Sequence, residues 1–271
     1  MNVVTLVSWN AHCDNGNLEQ VNALISKYKP DILCIQETSP ALKEHLEGLN
    51  EYPYFTQAVD HHIENYIGEH FGRPPRTSSY LVTVSRIPFI GKPILFEHKK
   101  VGVRIGLARL LGWHECIEHH GVDIEIAGKR WRILNIHIAF AETFRNKMRQ
   151  FREVIGNLNP DGETIICGDF NITKTPTLVH LPSYLLRLIH RGHSIQEQMQ
   201  GEELIYFEQR SFALGLNGGF PKKPTHPTSG LHLDGVLSSS KNIQIELGDE
   251  LHGSDHLPLI VRFGPTKSLE S

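Results

Sequence analysis

Short polar motifs follow apolar, strand-like runs at six places in this chain, and this pattern constrains the fold more than any other feature. The motifs are, in chain order, Trp9-Asn10, Gln36-Glu37, Asn135-Ile136-His137, Gly168-Asp169-Phe170-Asn171, Leu233-Asp234 and Ser254-Asp255-His256. Buried strands that end in polar residues place those residues at the edge of a sheet, where they can meet. Carboxylates, carboxamides and histidines that converge at strand ends are typical of a divalent-metal hydrolytic site.

The apolar periodicity of the chain predicts more strands than helices. Predicted strands cover 3–8, 32–36, 80–85, 93–97, 103–109, 114–118, 122–127, 131–138, 164–167, 233–237, 243–247 and 257–263. Helical spacing predicts helices over 18–29, 40–49, 144–158 and 178–192, and residues 52–75 and 212–230 are predicted loops. Helices that fall between strands in both halves predict two sheets packed face to face with helices outside. We expect one domain over residues 1–264 and a flexible tail over 265–271.

Length and composition indicate an ordinary globular domain. The chain has 271 residues and a net charge of −3, so it lacks the basic excess that is common in nucleic-acid binders, although a bound metal would add local positive charge. Its four cysteines, Cys13, Cys34, Cys116 and Cys167, form no CxxC pattern, which argues against a zinc cluster. The first residues lack the features of a signal peptide, and no run approaches the roughly 20 apolar residues of a membrane span. We therefore expect a cytoplasmic protein without integral membrane association.

The carboxylate Glu37 ends the second predicted strand. A carboxylate at the end of a buried strand must be paired, solvated or bound to a metal. Two interpretations remain open at this position: Glu37 caps a helix or pairs with a surface arginine, or it binds a metal ion.

Asp169 and Asn171 follow a short buried strand and lie two positions apart. Side chains at this spacing face the same side, so a carboxylate and a carboxamide could together hold an attacking water and a phosphate oxygen. The alternative is an ordinary Asp/Asn turn, with Gly168 allowing the chain to bend.

The motif Asp255-His256 precedes the last strand. Adjacent residues in a strand point apart, so we expect Asp255 to orient a different histidine, with His137 as the candidate, and His256 to face a phosphate or a metal. Asp234 lies two residues after His232 on the same face of its predicted strand, and it is either a catalytic candidate or a solvated aspartate on an edge strand.

Taken together, the six motifs resemble the endonuclease/exonuclease/phosphatase superfamily, and the resemblance extends from about Val3 to Phe263. The segment Ser85-Arg86-Ile87-Pro88 is similar to the Ser-Arg turn of that superfamily. The order and spacing of the motifs are far more specific than any one of them. The resemblance implies an α/β (α+β) fold, a four-layer α/β/β/α sandwich of two mainly antiparallel sheets with outer helices. It also implies dependence on Mg²⁺ or Mn²⁺.

The resemblance also implies roles for individual residues. Glu37 would be the principal metal ligand, with Asn10 beside it and Asp255 completing the metal or histidine network. Asp169 would orient or deprotonate the attacking water, and Asn171 would bind the scissile phosphate. The remaining residues would act around the phosphate: His256 would stabilise the pentavalent phosphorus, His137 would contact phosphate, and Asp234 would support a histidine.

One position departs from the repair-nuclease pattern. Those enzymes have an aspartate two residues after the asparagine of the first motif, where this chain has His12. His12 either reaches phosphate or is structural, and a second metal-side carboxylate must come from elsewhere. The departure bears on the repair-nuclease assignment more than on the reaction class.

The segments 61–77 and 212–229 are the predicted substrate-selecting loops. The first contains Arg73 and Arg76, and the second contains Lys222 and Lys223, all candidates for contact with a phosphate-rich substrate. The alternative is that both segments are solvated loops.

Three functions are compatible with these features. The first is a metal-dependent nuclease or phosphodiesterase that acts on nucleic acid as a monomer. The second is a phosphatase or sphingomyelinase-like phosphodiesterase acting on a lipid headgroup or small phosphoester. No basic amphipathic helix is evident, which disfavours the lipid version. The third is a non-catalytic binding module, which the complete set of polar motifs disfavours.

Overall fold

The computed structural model describes residues 3–12, 18–63, 78–97, 113–114, 118–139, 144–172 and 204–265. The predicted strand at 103–109, the predicted helix at 178–192, and the candidate contacts Arg73 and Arg76 lie outside these ranges, as do Cys13 and Cys116.

Thirteen strands and four helical segments occupy the described residues. The strands are β1 Val4–Asn10, β2 Ile32–Thr38, β3 Tyr54–Ile63, β4 Ser78–Ser85, β5 Ile94–Glu97, β6 Trp113–His114, β7 Glu118–Ile126, β8 Lys129–His137, β9 Glu163–Asp169, β10 Asn217–Gly219, β11 Asp234–Ser238, β12 Ile243–Leu247 and β13 Leu259–Phe263. The helices are α1 Leu18–Tyr28, α2 Pro40–Glu47, α3 Phe144–Ile155 and α4 at 204–213.

The described strands form two sheets. One has seven strands in the order β12-β13-β1-β2-β4-β3-β6, and the other has six in the order β10-β11-β9-β8-β7-β5. Within these sheets β1 pairs with β2 in parallel and β8 pairs with β9 in parallel, while the other pairings are antiparallel. The mainly antiparallel character predicted from the resemblance is therefore confirmed.

Three hydrophobic clusters separate the fold into four layers. The inner faces of the two sheets pack against each other through an apolar core that includes Ile32, Trp131 and Val261. The outer face of the seven-stranded sheet is covered by α1 and α2, and that of the six-stranded sheet by α3 and α4. Each fully buried large apolar side chain contributes about 1.5–3 kcal/mol to this packing. The arrangement is the predicted α/β/β/α sandwich.

Two predicted loops contain regular structure instead. The segment 52–75 was predicted to be a loop, but its first half forms β3, in which Thr56, Ala58 and Asp60 are buried on one face. The period-two alternation of this strand was obscured by its polar composition. The predicted loop at 212–230 begins inside α4 and contains β10, whose two glycines have positive φ. None of the described helices is both long and apolar enough to cross a lipid bilayer.

Candidate active site

The polar motifs meet at one end of the two packed sheets. Asn10, at the end of β1, donates from Nδ2 to Glu37 Oε1 at 3.1 Å and to Asp169 Oδ2 at 3.0 Å, which joins the seven-stranded sheet to the six-stranded one. The six predicted site residues that are buried are Asn10, His137, Asp169, Asn171, Asp234 and His256. Strand ends from both sheets therefore build a single polar cluster.

Two β-bulges aim acidic side chains into this cluster. The register between β2 and β4 shifts between Ile35 and Thr38, and Glu37 adopts a left-handed φ of 51°. A second shift, between Val59 and His61, places Asp60 in a bulge of β3. Asp60 Oδ2 accepts the backbone N–H of Glu37 at 3.0 Å. The bulges redirect Glu37 and Asp60, as such irregularities commonly do beside active sites.

The segment after β9 holds Asp169 and Asn171 in fixed positions. Asp169 Oδ1 accepts the backbone N–H of Asn171 at 2.8 Å, and Asn171 has a left-handed φ of 47°. The fully buried Lys147 of α3 donates to the Asn171 carbonyl. Gly168 lies within β9 rather than in a turn, and an added Cβ would overlap the carbonyl oxygen of Ile136. The glycine is thus required for close approach of β8, not for the predicted bend.

Asp169 is a carboxylate with an unusual affinity for protons. Burial is the main cause that raises the pKa of Asp169 to about 6, and the charge of Asp234 acts in the same direction, while His137 and His256 oppose it. A carboxylate with a pKa near neutrality is well suited to accept a proton from water.

One histidine–aspartate pair connects the two sheets through β3 and β8. His137 Nδ1 lies 2.9 and 3.0 Å from the two carboxylate oxygens of Asp60, and both side chains are buried. The Asn171 amide nitrogen donates to the Ile138 carbonyl at 3.0 Å and lies 3.1 Å from His137 Nε2. In the neutral ring, Nε2 accepts from this amide and the ring proton lies on Nδ1.

The charges around His137 favour the protonated form of the ring. Burial lowers the pKa of His137, but the charges of Asp60, Asp169 and Glu37 outweigh this effect and hold the pKa well above its ordinary value. Nε2 lies 3.7 Å from an Asp169 oxygen and 3.8 Å from a Glu37 oxygen. Protonation at Nε2 would replace the Asn171 contact with an interaction with these carboxylates.

A second histidine–aspartate pair joins His256 and Asp234. His256 Nδ1 lies 2.7 Å from Asp234 Oδ2, so Asp234 contacts a histidine. Burial lowers the pKa of His256, but the neighbouring carboxylates, Asp234 foremost, raise it to about 10. His256 is therefore a cation at neutral pH. Asp234 Oδ1 is buried and has no hydrogen-bond partner among the described residues.

Asp255 contacts a histidine other than the predicted one. We expected Asp255 to orient His137, but Asp255 Oδ2 lies 3.1 Å from His226 Nε2, and His137 pairs with Asp60. The prediction was wrong because it considered only residues that belong to the polar motifs. His226 belongs to none of them, and the turn at 226–231 places it beside the segment that precedes β13. Although burial acts to raise it, the pKa of Asp255 is lowered by the His226 hydrogen bond and by the charges of nearby histidines, including His12.

The remaining predicted residues occupy different positions. The backbone N–H of His12 donates to Asn10 Oδ1 at 2.9 Å, so the Asn10 oxygen faces away from the carboxylates and its amide nitrogen orients them. This contact favours a positioning role over the metal contact that the resemblance implies for Asn10. Lys222 and Lys223 are exposed on the segment that leads to His226.

Two residues of the cluster were missed from the sequence. Asp60 lies in a segment predicted to be a loop, where the alternation of Thr56, Ala58 and Asp60 was the available signal. His226 lies in the segment 212–229, which was predicted to be a substrate-selecting loop, and no local pattern identifies its contact with Asp255. Asn135 belongs to one of the polar motifs, and its side chain makes a contact between the two sheets. Asn135 Oδ1 accepts a hydrogen bond from Gln36 Nε2 at 2.7 Å.

The donor chemistry of the cluster fits a hard divalent cation. Oxygen and imidazole atoms of Glu37, Asp169 and His137 lie within 4.8 Å of one another, and so do those of His226, Asp255 and His256. Carboxylate oxygens are the ligands that Mg²⁺ prefers and that Mn²⁺ also accepts. The buried Oδ1 atoms of Asp234 and Asp255 have no hydrogen-bond partner among the described residues. The residues present therefore fit the metal that the resemblance implies.

Comparison with known families identifies the class. The sequence profile of the Endonuclease/Exonuclease/phosphatase family matches residues 7–256, and the chain belongs to this family. Enzymes of this family use divalent metals, and membership supports a metal-dependent phosphoester hydrolase activity. No curated protein matches the chain by sequence.

Solved structures of the same fold come from several organisms. An endonuclease/exonuclease/phosphatase from Beutenbergia cavernae is 16% identical with a TM-score of 0.62, covering 97% of this chain and 72% of its own. TDP2 of D. rerio, complexed with single strand DNA product, is 11% identical with a TM-score of 0.58 and coverage of 97% and 99%. The human Nocturnin catalytic domain, with bound sulfate anion, is 13% identical with a TM-score of 0.56 and coverage of 96% and 94%. At these identities the likeness establishes the fold alone.

Proposed function

We propose that this protein is a Mg²⁺- or Mn²⁺-dependent phosphodiesterase that cleaves nucleic acid by in-line attack of water on a phosphodiester. The observation that carries the proposal is the convergence of two buried histidine–aspartate pairs on Asp169 and Asn171. In each pair neighbouring carboxylates raise the pKa of the histidine, and the two pairs flank a carboxylate whose own pKa is raised. Packing alone gives no reason to bury so many charged groups together.

Each residue has a role that follows from its contacts. Asp169 orients the attacking water and receives its proton, with a pKa of about 6 suited to that task. Asn171, fixed by Lys147 and Ile138, would bind a phosphate oxygen. His256, held cationic by Asp234, would stabilise the negative charge of the pentavalent phosphorus from Nε2.

The pair His137–Asp60 would act on the phosphate from the other side of Asp169. Protonated His137 would donate from Nε2 to a phosphate oxygen, while Asp60 accepts from Nδ1 and keeps the ring in one orientation. Glu37 and Asp255 would hold the metal, with Asn10 orienting Glu37. The bound metal would polarise a phosphoryl oxygen and stabilise the leaving alkoxide.

Nucleic acid is the favoured substrate class. TDP2 of D. rerio, which has the same fold, is complexed with single strand DNA product. In this chain Lys222 and Lys223 are exposed on the segment that leads to His226, the residue that contacts Asp255. Exposed cations of this kind contact phosphate backbones. A lipid headgroup or small phosphoester would be the alternative substrate.

Hydrolysis of a substrate panel tests the proposal. Plasmid DNA, single-stranded DNA, RNA, an abasic-site duplex, bis-p-nitrophenyl phosphate and sphingomyelin would each be incubated with Mg²⁺, Mn²⁺ or EDTA. We expect EDTA-sensitive cleavage of a nucleic acid, and a loss of at least about 10²-fold in Asp169→Ala and His256→Ala, typical of lost acid–base or charge stabilisation. Asp123→Ala, which removes an aspartate paired with Arg132 away from the site, is the matched control.

The outcomes separate the alternatives. Activity confined to the small diester or to sphingomyelin would replace the nuclease assignment with the second function. Metal-independent cleavage, or full activity in folded Asp169→Ala, would contradict the proposed mechanism. Inactivity on the whole panel would favour the binding-module alternative.

A further inference from the structure

His226 contacts Asp255 in a geometry that leaves only one direction for the hydrogen bond. The backbone N–H of Ser229 donates to His226 Nδ1 at 3.1 Å, and the Ser229 hydroxyl lies 2.8 Å from the same nitrogen. A backbone N–H can only donate, so Nδ1 must carry a lone pair and the ring proton must lie on Nε2. His226 Nε2 therefore donates to Asp255 Oδ2.

The tautomer excludes a direct metal contact through the nitrogen that faces the site. A histidine binds a metal through an unprotonated nitrogen, and the unprotonated Nδ1 of His226 faces the Ser229 backbone. The nitrogen atoms of His226 and His256 and an Asp255 oxygen lie within 4.8 Å of one another, but His226 offers a proton there rather than a lone pair.

The backbone around His226 is tightly fixed. The His226 N–H donates to Leu231 at 3.1 Å, and the His226 carbonyl accepts from Gly230 at 3.0 Å, which closes the 226–231 turn. The ring packs edge to face against His256, with centroids 4.9 Å apart. The preceding residue, Thr225, is fully buried and accepts the N–H groups of Leu233 and Asp234 at 3.0 Å. A donor held this firmly can fix the rotamer of its acceptor.

The two carboxylate oxygens of Asp255 therefore differ in their contacts. Oδ2 is occupied by His226, whereas Oδ1 is buried, has no hydrogen-bond partner among the described residues and lies 3.9 Å from His256 Nε2. Without the His226 contact, Asp255 would be free to rotate and to pair with other neighbours.

We propose that His226 is a positioning residue that holds Asp255 through its Nε2–H and keeps Asp255 Oδ1 available to the divalent metal. This inference rests on the proposed metal site and adds a residue that sets its affinity. Loss of a hydrogen bond to a metal-binding carboxylate costs about 10–100-fold in metal affinity.

Direct measurement of Mn²⁺ binding to the full chain tests the inference. Binding is monitored by the EPR signal of free Mn²⁺, in the absence of substrate. His226→Gln and His226→Met form a matched pair, since both side chains are unbranched and of similar length but only glutamine carries an N–H donor. We expect the Mn²⁺ dissociation constant to rise about 10–100-fold in His226→Met and to stay near the wild-type value in His226→Gln. His45→Leu, on α2, controls for the removal of a histidine.

Each result separates the two proposals. Wild-type protein that binds no Mn²⁺ would overturn the metal site on which both depend. Mn²⁺ binding that is unchanged in folded His226→Met would overturn the role of His226 alone, and so would an equal loss in both variants, because the imidazole itself would then be required. Nitrogen-15 NMR of the unmodified protein provides a test independent of folding: a proton on Nδ1 of His226 would refute the assigned tautomer.

Discussion

Replacement of Asp60 by asparagine tests whether the His137–Asp60 pair is functional. The Asp60 carboxylate accepts hydrogen bonds from at least two donors, which are His137 Nδ1 and the backbone N–H of Glu37. Asparagine has nearly the same shape but offers one acceptor oxygen, and its NH₂ group must face one of the two donors. One buried donor therefore loses its partner, which costs about 1–3 kcal/mol of unfolding free energy.

The effect on turnover is larger than the effect on stability. The carboxylate of Asp60 orients the His137 ring through Nδ1 and also raises its pKa, and the neutral amide of asparagine supplies no such charge. Replacing the aspartate that orients a catalytic histidine by asparagine costs up to about 10⁴-fold in turnover, and we expect a loss of about 10²–10⁴-fold for Asp60→Asn.

The assay compares urea denaturation with Mn²⁺-dependent hydrolysis of bis-p-nitrophenyl phosphate. Asp31→Asn is the matched control, because Asp31 also accepts a backbone N–H, that of Thr5 at 2.9 Å, but lies outside the polar cluster. We expect a modest loss of stability in both variants and a loss of turnover in Asp60→Asn alone. Wild-type turnover in Asp60→Asn, or an equal loss in Asp31→Asn, would refute the reasoning.

Further predictions concern pH, metal and the backbone. The pKa of His256 in the folded protein is about 10, above its ordinary value of 6.5. The stability that the His256–Asp234 pair contributes is therefore fully present below pH 6.5 and is lost as pH rises towards 10. Urea denaturation of metal-free protein should show this decrease in unfolding free energy with pH, and Asp234→Asn should make the decrease smaller. Because the pKa of Asp169 is about 6, protons should compete with the metal, and Mn²⁺ affinity in calorimetric titrations should fall as pH drops below about 6. Gly168→Ala should lower the unfolding free energy by about 3 kcal/mol or more, because its Cβ would overlap the Ile136 carbonyl; an unchanged melting temperature would contradict this.

The sequence was sufficient to predict the layers and the strand ends. Apolar runs identified most strands of both sheets, and the polar residues that follow them, such as Asn10 and Asp169, proved to be neighbours. This succeeded because burial imposes a period on the sequence, and because the parallel pairs β1–β2 and β8–β9 each bring two strand ends to the same edge of their sheet.

The pairings within the site were not predictable in the same way. Asp60 enters the cluster through a bulge, which inserts a residue without any change in composition. His226 reaches Asp255 across a turn whose shape depends on Thr225 and on hydrogen bonds to residues far along the chain. Such contacts depend on tertiary geometry, and local sequence patterns carry little information about them.

Both histidine–aspartate pairs, and the Asn10–Asp169 contact, cross from one sheet to the other. Asp60 lies on β3 and His137 on β8, while Asp234 lies on β11 and His256 precedes β13. No single layer therefore contains a complete pair, and the distances of the site are set by how the two inner sheet faces pack. That packing is made by a buried apolar cluster, and the Gln36–Asn135 hydrogen bond also joins the two sheets. The same core that stabilises the fold thus also fixes the relative positions of the polar groups in the cluster, and the burial that raises the pKa of Asp169 is a direct consequence of this arrangement.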